Sequence, residues 1–94
     1  MNDGKSVKLT YFDYLKLAKR EFQSILKQHP ELSLLSTREM DVFEQLLSDK
    51  TQAEIAKVLY ISHSAVHFHC KNIYKKLNIT SRRQLLITYK DLFM

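Results

Sequence analysis

Ninety-four residues, 45% of them hydrophobic, make one small domain, or one domain with an appended helix, whose modest core would gain from pairing with a second copy. One glycine and one proline exclude a turn-rich β-protein, and a lone cysteine, Cys70, excludes an internal disulfide and suits a reducing cytosol. The net charge of +5 is unevenly spread: Ser36–Glu54 sets five acids against Arg38 and Lys50, whereas Ile55–Lys90 carries seven bases and no acid, a dipole with one face suited to a polyanion.

In chain order, Met1–Lys5 shows no signal-peptide pattern, and no apolar run approaches the ~18 residues of a membrane span. A cytoplasmic protein with no membrane partner is expected. Leu9 to His29 reads as one amphipathic helix, because Tyr11, Leu15, Ala18, Phe22 and Ile25 alternate spacings of four and three, with Phe12 and Leu26 beside them. Pro30 should end it. Its apolar stripe either packs over the rest of the chain or pairs with its copy. The second reading is favoured, with Leu92, Phe93 and Met94 extending the same interface. Glu31–Leu35 is a short connector.

The chain then repeats one punctuation device. Ser36-x-x-Glu39, Thr51-x-x-Glu54 and Ser81-x-x-Gln84 each have the form of a capping box, in which the hydroxyl accepts from the N3 amide and the N3 side chain reaches back. Ser62 is a fourth N-cap without its box partner, since Ala65 occupies N3. The helices so started span about 37–48, 52–59, 63–77 and 82–92. Their shared core is expected from Met40, Val42, Phe43, Leu46, Leu47, Ile55, Ala56, Leu59, Val66, Ile73, Leu77, Leu85, Leu86 and Tyr89, with Ile61 and Ile79 plugging the turns. The fold class is all-α.

Gln52–Leu59, the turn Tyr60-Ile61-Ser62 and the helix from His63 make a unit of the helix-turn-helix type. A second helix braced in this way can enter the major groove. That use fixes the helical phase. Val66, Ile73 and Leu77 must face inward, which leaves Ser64, His67, Phe68, Lys71 and Lys75 outward, a largely hydrogen-bonding or cationic stripe.

Leu35-Ser36-Thr37-Arg38-Glu39, Glu54-Ile55-Ala56, Ile61-Ser62 with Val66-x-x-His69-x-x-x-Ile73-x-x-Lys76-Leu77, and Ser81-Arg82 with Leu85 together resemble the LuxR/GerE-type DNA-binding domain. The resemblance covers residues 35 to about 90 without a gap, dividing the chain into an N-terminal helix and connector (1–34) and a helix-turn-helix domain (35–94). It implies a four-helix domain that binds double-stranded DNA in a sequence-specific way, as a cytoplasmic, nucleoid-associated transcription regulator, commonly a homodimer through its last helix. RNA polymerase or another regulator would be a further partner. By the same resemblance His67, Phe68 and Lys71 face base edges, and Lys75, Lys76, Ser81 and Arg82 lie near phosphates. Ser64, on the same outward stripe, is expected as a further base contact, and Thr51 and Ser62 as further backbone contacts. His69 supports the helix or touches the backbone.

Three positions depart from the family pattern. Asp49 stands where the turn usually has glycine, and is expected to tolerate a left-handed backbone there. Ala65 replaces a usual threonine, and His67 an often-found lysine, which removes two contacts and motivates the alternative of a protein-interaction adaptor that has lost DNA binding. His63, His67 and Cys70 share one helical stripe at a spacing a metal would need, but lack a fourth ligand, so no metal and no other cofactor is expected. A redox role for Cys70 would need a lowered thiolate pKa and solvent access. No phosphate loop, carboxylate pair or nucleophile motif points to an enzyme.

Overall fold

The computed structural model describes residues 11–92, with side chains from Lys19 onward. Leu9, Phe93 and Met94, and the side chains of Tyr11, Phe12, Leu15 and Ala18, lie outside the described residues. All regular structure among the described residues is helical, and the chain divides into two compact units, 1–30 and 31–94.

The first unit contains helix α1, Tyr11–Gln28. The His29 amide still donates to the Ile25 carbonyl at 2.8 Å, and Pro30, which has no amide hydrogen to give, follows. The second unit runs from Glu31. Pro30–Leu34 wind into a 3-10 turn, and Leu32 is fully buried, so the connector supplies a core residue.

Four helices follow: α2 (Thr37–Leu46), α3 (Gln52–Leu59), α4 (His63–Lys76) and α5 (Arg82–Tyr89). The capping boxes of α2 and α3 are complete. Ser36 Oγ accepts from the Glu39 amide at 3.1 Å and Glu39 Oε1 accepts from the Ser36 amide at 2.8 Å. Thr51 and Glu54 repeat this at 3.2 and 2.8 Å. Ser62 caps α4 by accepting from the Ala65 amide at 3.0 Å. The third expected box is only half made: Ser81 Oγ accepts from the Gln84 amide, but Gln84 Oε1 accepts from the amide and hydroxyl of Thr80. The backbone gives the reason. Ser36 and Thr51 have φ of −69° and −74°, whereas Ser81 is extended at −156°, which swings its own N–H away from the N3 side chain.

Helices α3 and α4 end alike. Tyr60 and Asn78 both have φ of 57°, and the following residues, Ile61 and Ile79, donate back to the carbonyls of Ala56 and Tyr74 at 3.0 and 2.9 Å. These are Schellman-type closures, in which the residue after the left-handed one packs on the last turn. That explains why Ile61 and Ile79 plug the turns. Asp49 is not among the positive-φ residues, contrary to the sequence expectation. Helix α2 instead runs out through a right-handed Leu47, and its terminal carbonyls find a side-chain partner described below.

The core is built from Leu32, Val42, Phe43, Leu46, Ile55, Ala56, Val66, Cys70, Ile73, Leu77, Leu85 and Tyr89, all buried. Each large apolar side chain among them contributes roughly 1.5–3 kcal/mol of burial. Met40, Leu47, Leu59 and Leu86 sit half-buried at its rim. Helix α4 packs on both α2 and α3, which also pack on each other. Helix α5 is held by an edge-to-face contact of Phe43 with Tyr89, centroids 5.3 Å apart. The Tyr89 hydroxyl donates to Glu31 Oε2 at 2.6 Å, joining the two ends of the unit.

Candidate nucleic-acid interface

Helix α4 separates its side chains by phase. Val66, Cys70, Ile73 and Leu77 are buried, spaced four, three and four apart so that they form one inward stripe. Ser64, His67, Phe68, Lys71 and Lys75 are exposed. Phe68 is 61% exposed, an orientation hydrophobic burial alone does not explain for a free-standing domain. Its ring meets that of the half-buried His69 edge-on, with centroids 5.8 Å apart. His63, Ser64 and His67 line a shallow open hollow at the start of the helix.

The basic residues do not form one class. Lys57, Lys71, Lys75 and Arg83 are exposed. Lys76 Nζ, in contrast, lies 2.6 Å from Glu39 Oε1. Burial alone would push the Glu39 carboxyl up, but the hydrogen bond and charge of Lys76, with the amide and hydroxyl of Ser36, outweigh it and hold Glu39 below its ordinary range. Glu39 is therefore held as a carboxylate near neutrality. Arg82 donates from Nε to the Leu46 carbonyl at 3.1 Å and from Nη2 to the Ser48 carbonyl at 2.7 Å. It satisfies orphan carbonyls at the end of α2, the task a left-handed Asp49 would otherwise have served. Of the six residues expected beside phosphates, Lys76 and Arg82 thus have internal partners.

Thr51, Ser62 and Ser81 are exposed, with each hydroxyl oxygen accepting from its own helix's third amide. The oxygen is committed while the O–H remains able to donate. Ser62 Oγ also lies 3.2 Å from Ser64 Oγ. Cys70 is only 2% exposed, so it does not share a surface with His63 and His67. Burial pushes its thiol up, with the Arg82 charge opposing, the reverse of what a reactive thiolate needs. Among the described residues no three His, Cys, Asp or Glu side chains are grouped to hold a metal ion.

Sequence reasoning missed the second role of Glu39. Its box partner Ser36 was visible at a spacing of three, but Lys76 lies 37 residues away, and no local pattern announces that pairing.

A short helix, a tight left-handed turn and a second helix whose polar stripe stands clear of the core define a helix-turn-helix protein. The family model for bacterial regulatory proteins of the luxR family matches residues 33–89. The chain belongs to that family, whose members are DNA-binding transcription regulators. It is 39% identical over 71 residues to the spore germination protein GerE of Bacillus subtilis, covering 76% of this chain and 86% of that protein. It is 36% identical over 63 residues to the nitrate/nitrite response regulator protein NarP of Escherichia coli, covering 67% of this chain and 29% of that protein. It is 39% identical over 61 residues to the transcriptional activator protein EsaR of Pantoea stewartii, covering 65% and 24%. The chain therefore spans most of one relative but under a third of the other two. No helix among the described residues is long and apolar enough to cross a membrane.

Proposed function

We propose that this chain regulates transcription by placing α4 in the major groove of double-stranded DNA, as a homodimer working in the cytoplasm on the nucleoid, with RNA polymerase or a second regulator as its further partner. Ser64, His67, Phe68 and Lys71 read bases: His67 and Lys71 through hydrogen bonds to base edges, Phe68 through packing on a thymine methyl. Lys75 holds a phosphate as a point charge, and the hydroxyls of Thr51, Ser62 and Ser81 donate to others. Lys76 and Arg82 brace the helices from behind, and their effect on the phosphates is indirect.

The observation that carries this reading is the exposed, acid-free stripe of α4 standing opposite the buried Val66, Cys70 and Ile73. The test begins with selection of duplexes from a random pool by the unmodified chain. His67→Ala and Lys71→Ala should then narrow the gap between selected and shuffled duplexes. Lys75→Ala should weaken both alike and flatten the dependence of log K on log[salt] by about 0.9 per subunit. If all three variants behave identically on both duplexes, the division between base and phosphate contacts is wrong.

A further inference from the structure

Lys76 and Arg82 stand on either side of the turn that joins α4 to α5, and both reach back to α2. One holds its N-terminal end through Glu39, the other its C-terminal carbonyls. Glu39 is the unusual member of this set. Its side chain is only 7% exposed, against 38% for Lys76, and the same oxygen, Oε1, accepts from both the Ser36 amide and the Lys76 ammonium. One carboxylate therefore starts α2 and fixes the end of α4.

A buried carboxylate left without its cation is strongly unfavourable. Moving Lys76 onto a DNA phosphate would strip Glu39 of the cation it pairs with, and the phosphate would meet the carboxylate as a like charge. The arrangement favours keeping the pair closed when DNA is bound.

We propose that Glu39 is a positioning residue for sequence recognition: through Lys76 it sets how α4 presents His67, Phe68 and Lys71 to the groove, while the charge of Lys76 stays neutralised and is not part of the phosphate footprint. This rests on the reading of α4 as the base-reading helix. Its consequence is specific. Loss of the pair degrades discrimination between sequences and leaves electrostatic attachment intact, which neither a phosphate contact nor a purely stabilising bond would do.

The experiment uses the full 94-residue chain, the tightest duplex that the unmodified chain selects from a random pool, and a shuffled duplex of the same base composition. Glu39→Gln keeps a residue able to cap α2 but removes the charge. The double variant Glu39→Gln/Lys76→Gln removes both charges, so that no buried ion is left alone, and serves if the single variant folds poorly. Helicity and melting are recorded for each, and binding is measured below the transition. In both variants the preference for the selected over the shuffled duplex should fall about tenfold, comparable to one mismatched base pair. The salt slope of the double variant should not change, because the neutralised pair is removed as a whole, and its preference should fall no further than that of the single variant. An unchanged preference in a folded variant overturns the positioning role. A slope shallower by about 0.9 per subunit in the double variant makes Lys76 a phosphate ligand and overturns its neutralisation. Should the unmodified chain select no duplex above the shuffled one, the base-reading assignment of α4 fails first and this inference falls with it, a result distinguishable because it appears before any substitution is made.

Discussion

Lys75 and Lys76 are neighbours in sequence and share a helix, a charge and a side-chain length, yet they belong to different parts of the molecule. One residue along an α-helix turns the side chain by about 100°. That step carries the chain from the outer face of α4, where Lys75 stands free, to the seam with α2, where Lys76 meets Glu39. Arg82 and Arg83 divide in the same way, one on the carbonyls of α2 and the other exposed. A basic segment is therefore two populations. One stands exposed to solvent, and the other uses charge to fix the elements that carry the first.

This contrast breaks most sharply where the two faces of α4 are cut separately. Ile73 is fully buried, so Ile73→Ala should cost about 2–5 kcal/mol of stability. Phe68→Ala, on the outer face, should stay within about 0.5 kcal/mol while impairing binding to a selected duplex. Paired urea titrations and binding isotherms read both. Equal losses of stability would mean that the outer face is not outer.

The bracing population responds next. Arg82→Ala uncovers the carbonyls of Leu46 and Ser48 and should cost about 1–3 kcal/mol, with the salt dependence of duplex binding unchanged. A slope that flattens would return Arg82 to the phosphates.

Acid provides a gentler probe. The folded-state pKa of Glu39 lies below its ordinary 4.5. Its contribution is thus complete above the unfolded value and is lost as pH falls through the folded one. Unmodified protein should exceed Glu39→Gln in stability at neutral pH, and the gap should close on acidification below about pH 4.5. Denaturant titrations at stepped pH would show it. A gap constant across that window would separate Glu39's charge from its effect.

The smallest change concerns the turn between α3 and α4. Tyr60 is 94% exposed and left-handed, a conformation that costs a side-chain-bearing residue about 1–2 kcal/mol. Tyr60→Gly relieves this but frees the unfolded chain, so a net gain of up to about 1 kcal/mol is expected, read as a small rise in Tm. A fall would mean that the ring makes a stabilising contact of its own.

Much of this was legible beforehand, for local reasons. The caps at Ser36, Thr51 and Ser62 depend on partners three residues away. The inward phase of Val66, Ile73 and Leu77 follows from helical periodicity alone. What escaped depended on distance or on backbone detail. The partners of Lys76 and Arg82 lie more than thirty residues off. The diversion of Gln84 to Thr80 turns on a single φ angle at Ser81. The left-handed residues proved to be Tyr60 and Asn78 rather than Asp49, because Arg82 closes α2 by a route its own sequence does not reveal. Cys70, placed by spacing beside His63 and His67, turns inward, since four residues from Val66 is also a position on the buried stripe.

The hydroxyl of Tyr89 on Glu31, with Leu85 and Tyr89 both buried, has a consequence for synthesis. A ribosome delivers α4 well before it delivers the residues that roof the core behind it. Until α5 is out of the exit tunnel, Tyr89 cannot reach Phe43 or Glu31, so a nascent chain stalled after α4 would present the exposed stripe of that helix on an unfinished scaffold. Among the described helices, α5 is the one that completes the core behind α4.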